Sequence, residues 1–369
     1  MRLASFNVEN MFRRASVLNL ANPADAKPIL NAYTKLTELL QEPVYTAAIK
    51  NKILSLLDQL GLKKSNETEF VILRENHGHL LKRPKSGPPQ VVAGGRKDFI
   101  GWVELKTEAV NDKAIQMTGK VISEVDADIL AVIEAEDRIA LLRFNDQLLK
   151  PIKATYNGVM LIDGNDERGI DVGLFTKRDS VVESIVSHVD DMKSNNRIFS
   201  RDCPEYTVRV GANKRLLILV NHLKSKGFGN QADNDKRRKA QAQRVRDIYD
   251  QRRSEGVDLV AVVGDFNDTP DSDPLKPLLK NGSDLKDIFG HPNFHGDSRP
   301  GTFGNGAASE KIDYILLSPA LFAKVTGGGI ERRGVWGGIN GTLFPHFDEI
   351  TKAIEAASDH AAIFADINL

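Results

Sequence analysis

Apolar residues run unbroken through Leu259-Val-Ala-Val-Val263, and the chain then turns polar at Gly264-Asp-Phe-Asn-Asp-Thr-Pro270. Such a run predicts a central strand buried on both faces and ending in a polar tip. The same pattern recurs. Residues 2–6 form a first strand closing on Asn7, and residues 128–134 form a second, ending in acid at Glu134. Residues 159–162, 169–175, 215–222, 311–318 and 358–367 are further strands, with Asn221 and His222 at the polar end of the 215–222 run. Between them, residues 114–125 and 236–253 carry helical spacing; in the second, Ala240, Val245, Ile248 and Tyr249 share one side while Lys236, Arg237, Arg238, Arg244 and Arg246 lie elsewhere. Many apolar strands with few helices between them predict an α/β sandwich with mixed sheets.

One segment breaks the rhythm. Residues 13–112 form an insert within what otherwise reads as a single catalytic domain over residues 1–369. Its first half, residues 24–62, is helical: Leu36, Leu39 and Leu40, then Ile53, Leu56, Leu57 and Leu60 recur at three and four, and Gly61 is a natural stop. Residues 70–83 read as a hairpin turning at Asn76 to Gly78, and the Lys/Pro/Gly-rich residues 83–96 as a mobile loop. The insert's basic residues, Lys82, Arg83, Lys85 and Arg96, suit either a substrate lid or an interaction arm. His77 and His79 fit an ordinary exposed turn better than a metal pair.

The polar residues at the strand tips follow a direction. Asn7, Glu134, His222, Asp265 and Asn267 fall where strands end, whereas Asp313, Asp359 and His360 fall where strands begin. If the second set runs antiparallel to the first, all eight meet on one rim. Asp265 and Asn267 stand two apart, so a pleated backbone projects carboxylate and amide to the same side. That pair suits a hard cation or a phosphoryl group; it also suits an Asx turn capping backbone N–H groups. Asn7, Glu134, Asp265, Asn267, Asp313 and Asp359 are oxygen donors, a set for Mg²⁺ or Mn²⁺ rather than zinc. His222 and His360 are available for proton transfer near neutral pH.

Composition narrows the partners. With 50 basic and 50 acidic residues the formal charge is zero, which argues against holding nucleic acid by bulk electrostatics but leaves room for a local basic face. Cys203 is the only cysteine, so no internal disulfide or thiolate metal cluster can form. No run approaches the roughly 18 apolar residues of a membrane span. The first residues read as a strand and not as an export signal, so the expected location is cytoplasmic.

Taken together, Ser5-Phe-Asn-Val-Glu-Asn-Met-Phe12, Asp128-Ile-Leu-Ala-Val-Ile-Glu134, Asn221-His222, Gly264-Asp-Phe-Asn267, Lys311-Ile-Asp-Tyr-Ile315 and Ser358-Asp-His360 resemble, in order and spacing, the motifs of the endonuclease/exonuclease/phosphatase superfamily. The resemblance implies a four-layered α/β sandwich with two central mixed β-sheets flanked by helices. It implies Glu134 as the principal metal ligand, with Asn7 and Asp359 in the metal and phosphate shell. Asp265 would position or deprotonate the attacking water, and Asn267 would hold a non-bridging oxygen. His360 would serve as general base or phosphate ligand, with Asp313 orienting it and His222 as a second histidine, general acid or phosphate contact. Ile133 departs from the pattern, since many members carry Gln before the metal-binding Glu.

Within the superfamily, the inositol phosphatase branch carries a Cys-Asp-Arg run where this chain has Glu310-Lys-Ile-Asp-Tyr314, and bacterial sphingomyelinases are secreted. The leading expectation is a divalent-metal-dependent phosphodiesterase acting on DNA or RNA. The alternatives are a phosphomonoesterase acting on a small or lipid-linked phosphate and a binding module that has lost catalysis. Arg238 and Gln241 resemble an Arg-x-x-Gln-Ala element of bacterial relatives. Arg168, Arg201 and Arg238 are the expected substrate contacts, and the basic helix of residues 236–253 would steer a polyanion.

Overall fold

The computed structural model describes residues 1–20, 23–166, 168–227 and 229–369. The chain divides into two compact units. The larger comprises Met1–Phe12, Val110–Lys226 and Ala232–Leu369; the smaller comprises Arg13–Ala109 with Gly227–Gln231.

In the larger unit two mixed sheets stack. The first has the order Phe294–His295, Val325–Glu331, Ala362–Ile367, Arg2–Asn7, Ile129–Ala135, Asp171–Thr176, Gly158–Ile162. The second runs Ser180–Val186, Glu205–Val210, Lys214–His222, Val260–Asp265, Asp313–Leu317, Lys286–Asp287. Arg2–Asn7 pairs parallel with Ile129–Ala135 and antiparallel with Ala362–Ile367. Lys214–His222 pairs parallel with Val260–Asp265, which pairs antiparallel with Asp313–Leu317. Strands that end at the rim and strands that begin there therefore alternate in direction as the polar tips require.

Alternation along each strand builds the layers. Ile129, Ala131 and Ile133 point between the sheets, against Tyr206, Val208, Ile218, Val220, Ala261, Val263 and Ile315. Leu130 and Val132 point the other way, onto Met117, Val121, Ile122 and Val125. These four belong to the Asp112–Val125 helix, capped where the Asn111 side chain accepts from Lys113 N at 2.9 Å and closed by Asp126 in the left-handed region. On the far side of the second sheet, Leu217, Leu219, Val260, Val262 and Leu316 pack on Ala242, Val245, Ile248 and Tyr249 of the Gln231–Ser254 helix. Helix, sheet, sheet and helix make four layers, which is why the strands read as continuous apolar runs: both faces are covered. Ile133 lies wholly within the apolar layer between the sheets.

Three strands of these sheets carry no clear apolar signature. Ser180–Val186 and Val325–Glu331 leave several residues at or near the surface, and Glu205–Val210 contributes the buried Glu205.

The smaller unit has its own core, with Leu30, Leu36 and Leu40 meeting Ile53, Leu57, Leu73, Phe99 and Val103. It refines one expectation and corrects two. Residues 24–62 form two helices, Pro23–Leu40 and Ala47–Gln59, because Pro43 interrupts the run and Thr46 caps a fresh start by accepting from Ile49 N. Residues 70–83 are not a hairpin: Val71–His77 pairs antiparallel with Ile100–Leu105, which lets Val71 and Leu73 join Val103 and Leu105 in that core. The 83–96 stretch contains Gln90–Val91, paired with Leu81–Lys82, and Arg83 is anchored on the carbonyls of Leu62 and Lys63. Residues 21–22 of the insert lie outside the described residues. No helix among the described residues is long and apolar enough to cross a membrane.

Candidate active site

The tips of the strands bring the eight rim residues together around Asp265. Val260–Asp265 delivers this carboxylate almost fully buried. Gly264 immediately before it has φ +129°, and a Cβ there would lie 1.9 Å from the carbonyl oxygen of Asn221, so the neighbouring strand leaves room only for hydrogen. Asn267 then turns into the left-handed region at φ +54°. Its backbone N–H donates to Asp265 Oδ1 at 2.8 Å while its amide donates to Asp265 Oδ2 at 3.1 Å and to the Leu223 carbonyl at 3.1 Å. The pair is thus an Asx turn and a convergent carboxylate–amide pair at once; the turn, not the pleat, brings the two groups together.

Asp265 Oδ2 is the hub. Asn7 Nδ2 donates to it at 3.2 Å, His222 Nε2 lies 3.6 Å away and His360 Nε2 3.9 Å away. His360 is held from behind: its Nδ1 pairs with Asp313 Oδ2 at 2.9 Å, and the same oxygen accepts from Thr302 Oγ1 at 2.6 Å. Its backbone N–H donates to Ser358 Oγ, which itself donates to the Asn7 carbonyl. The Phe303 ring sits 4.9 Å from the imidazole.

Glu134 closes the rim from the first sheet. Its backbone lies at φ +65°, a conformation that costs energy for a residue bearing a Cβ and that recurs at functional sites. Its Oε1 is 3.5 Å from His222 Nε2. The Glu134 side chain is 21% exposed and that of Asp359 46%, whereas Asp265, Asp313 and the two histidines are nearly closed off. Glu134 and Asp359 are therefore the carboxylates that solvent reaches.

The charges around the two imidazoles differ. Burial alone would lower the proton affinity of His360, but Asp313, Asp359 and Asp265 outweigh it and hold the group well above the ordinary imidazole value. His222 goes the other way: burial, then Arg201 and Arg168, push it well below. Asp265 is raised by burial and by the nearby Asp313. Among the described residues, the Nδ1 of His222 and the Oδ1 of Asn221 are buried without a hydrogen-bond partner.

Of the three expected substrate arginines, two stand beside His222. Arg201 is buried, with Nε 3.0 Å from Asp166 Oδ2; Arg168 clasps the same carboxylate with contacts of 2.8 and 2.9 Å. Burial opposes ionisation of Asp166, yet the two guanidinium groups hold it below the usual carboxylate range. Arg238 is the correction. It was expected away from the apolar side of its helix and is instead completely buried, because the helix's inner face runs through Asn234, Arg238, Gln241, Ala242, Val245, Ile248 and Tyr249. Its guanidinium is committed to Asp268, Asp235 and the Lys224 carbonyl, so it reaches no ligand directly. Ala240, expected inward, is only half-buried.

Sequence reasoning missed Thr302, Phe303, Asp166 and Glu9, the last of which accepts from Asp359 N at 3.2 Å. Asp166 carried a faint signal, a polar turn flanking Arg168; Thr302 and Phe303 carried none, since they reach His360 only through tertiary contacts, by way of Asp313 and of the bridge between Phe303 and His360.

A four-layered sandwich whose strand tips gather carboxylates, amides and two imidazoles defines a phosphoester-hydrolase type of site. The model of the endonuclease/exonuclease/phosphatase family matches residues 111–360, and the chain belongs to that family. No curated protein matches the chain in sequence. Among solved structures, a Bacteroides thetaiotaomicron mannosyl-6-phosphatase is similar at 17% identity and a TM-score of 0.50, covering 69% of this chain and 90% of that one. The human Nocturnin catalytic domain with bound sulfate anion is similar at 15% identity and 0.49, covering 71% and 88%. Truncated Caenorhabditis elegans TDP2 is similar at 18% and 0.48, covering 68% and 89%. At these identities the likeness is one of fold.

The family is divalent-metal-dependent, and the donors present fit a hard cation. Glu134 and Asp265 bring two carboxylates to the same imidazole nitrogen, where the charge of Glu134 adds to the cost of ionising the buried Asp265. A cation would relieve that repulsion, and the donors that converge there, Glu134, His222 and Asp265, include two carboxylates and no sulfur.

Proposed function

We propose that this chain is a divalent-metal-dependent phosphodiesterase whose substrate is nucleic acid, DNA or RNA, hydrolysed by in-line attack of an activated water. The observation that carries the reading is the single oxygen, Asp265 Oδ2, shared by two asparagine amides and faced by two histidines.

Asn7, Glu134 and Asp359 are the residues proposed to hold Mg²⁺ or Mn²⁺, which when bound supplies Lewis-acid charge to a phosphoryl oxygen. The remaining work falls to the chain's own groups. Asp265, with its proton affinity raised, accepts the proton of the attacking water. The amides of Asn267 and Asn7 fix the orientation of that carboxylate, and Asn267 is proposed to exchange its bond to the Leu223 carbonyl for one to a non-bridging oxygen when substrate binds. His360, kept cationic by Asp313, offers positive charge to the phosphoryl group. His222, kept neutral by burial and by Arg201 and Arg168, is the second imidazole, proposed to contact a phosphoryl oxygen as a neutral hydrogen-bond donor. Splitting the proton affinities of paired groups is how one pocket performs acid and base chemistry together.

The test is hydrolysis of bis-p-nitrophenyl phosphate, plasmid DNA and RNA with Mg²⁺ or Mn²⁺. Cleavage that collapses in Asp265→Ala and His360→Ala supports the reading. Release of inorganic phosphate from small or lipid-linked monoesters, with nucleic acid left intact, would replace it with a phosphomonoesterase.

A further inference from the structure

Beside His222, the polar groups of the main chain at Lys224 are both gripped by one helix. Gln241 Oε1 accepts the Lys224 N–H at 2.7 Å, and Arg238 Nη1 donates to the Lys224 carbonyl at 2.6 Å. Gln241 and Arg238 are themselves completely buried. Gln241 is further tied to Ile198 O and Ser200 Oγ, and Arg238 to Asp268, the residue directly after Asn267.

The side chain is treated oppositely. Among the described residues the Lys224 ammonium has no ion pair and no hydrogen bond, although Lys226, two residues on, is paired with Asp268. Among the described residues, Arg168, Arg201 and Arg237 act against its charge and Asp166 acts for it. That carboxylate is already matched by Arg168 and Arg201. Burial and these like charges lower the Lys224 ammonium to about 8. A half-buried ammonium without an ion pair, carried on a backbone fixed next to the site, is stabilised by an arriving anion.

We infer that Lys224 is a specificity residue that receives a phosphate flanking the scissile one in a polynucleotide, on the side of the site occupied by His222. The inference rests on the nuclease reading and deepens it, because a second phosphate held at a fixed distance from the first is a property of a nucleic acid strand and not of a simple monoester. Lys224 makes this contact as a point charge, while Arg238 and Gln241 hold its position.

The experiment measures KM for a single-stranded oligonucleotide from 50 to 300 mM salt in the wild type, Lys224→Gln and Lys224→Arg, with melting temperatures as a check on folding. A lost phosphate contact raises KM about tenfold at low salt and flattens the dependence of log KM on log salt by roughly 0.7, the share of one phosphate on a single strand. Lys224→Arg keeps the wild-type slope. A merely structural role would change kcat or the melting temperature and leave the slope alone, and an unchanged slope in Lys224→Gln overturns the inference. Wild-type protein that cleaves neither DNA nor RNA overturns the nuclease reading and this inference with it; active wild type with an unaltered slope overturns this inference alone.

Discussion

The two histidines of the site sit in opposite electrostatic surroundings although both face the same carboxylate oxygen. His360 is backed by Asp313 and flanked by Asp359, on a segment entering the first sheet. His222 ends a strand of the second sheet and lies in the field of Arg201 and Arg168. One imidazole is thereby driven toward its charged form and the other toward its neutral form. Neither bias comes from the residues adjacent to each histidine in sequence, apart from Asp359. Proton affinity is set by which strands the fold places alongside, and that is how a site with two copies of one residue type obtains two chemical roles.

The largest test of this contrast removes its shared partner. Asp265→Ala and His360→Ala are expected to lower kcat/KM on a nucleic acid substrate by roughly 1000-fold, about 4 kcal/mol of transition-state stabilisation. Retention of more than a tenth of the activity in either would break the scheme.

Next in size is the support of the His222 side. Arg238 and Asp268 form a buried pair at 2.9 Å, so Arg238→Met leaves Asp268 with Lys226 as its remaining cation, releases the Lys224 carbonyl and should cost about 3 kcal/mol in chemical denaturation. A loss below about 1 kcal/mol would mean that the pair is not what fixes the Lys224 segment.

Asp313→Asn weakens the His360 side without removing the imidazole. An activity loss of about 100-fold, near 2.7 kcal/mol, is expected, together with a downward shift of the alkaline limb of the pH–rate profile as His360 loses its counter-charge. An unchanged alkaline limb would show that Asp313 acts only in packing.

The smallest and sharpest effect is the pH dependence of stability, measured with a chelator present. His360 has a raised value in the folded chain, so its contribution is complete below the ordinary imidazole value of about 6.5 and is lost as pH rises through the folded value. Asp265, also raised, acts in the same direction. His222 has a lowered value, so its contribution is complete above about 6.5 and is lost as pH falls toward the folded value. His360→Asn should flatten the alkaline limb of the melting-temperature curve and His222→Asn the acid limb. The same limb flattened by both variants would erase the distinction between them.

Much of the site was visible before any coordinates. Asn7, Glu134, His222, Asp265, Asp313 and His360 declared themselves because each interrupts or bounds an apolar strand, and a two-sheet sandwich leaves the tips of buried strands as the place where polar groups gather. The Gln231–Ser254 helix misled for the converse reason. Its inner face carries Asn234, Arg238 and Gln241 among the apolar residues, so a hydrophobic pattern could not mark it, and the buried polar side chains are satisfied only by segments distant in sequence. The hairpin expected within residues 70–83 failed similarly, because the partner strand Ile100–Leu105 lies beyond the next loop.

By itself, the order of residues determined the sandwich, the list of rim residues and the hard-donor character of the site, since these follow from periodicity and from which side chains end each strand. Tertiary structure alone decided that Asn267 meets Asp265 through a left-handed turn, that Arg238 faces inward, and that His360 and His222 carry opposite bias. Those outcomes depend on distances between groups far apart in the chain, and both Coulomb interactions and desolvation are functions of that separation and burial rather than of sequence position.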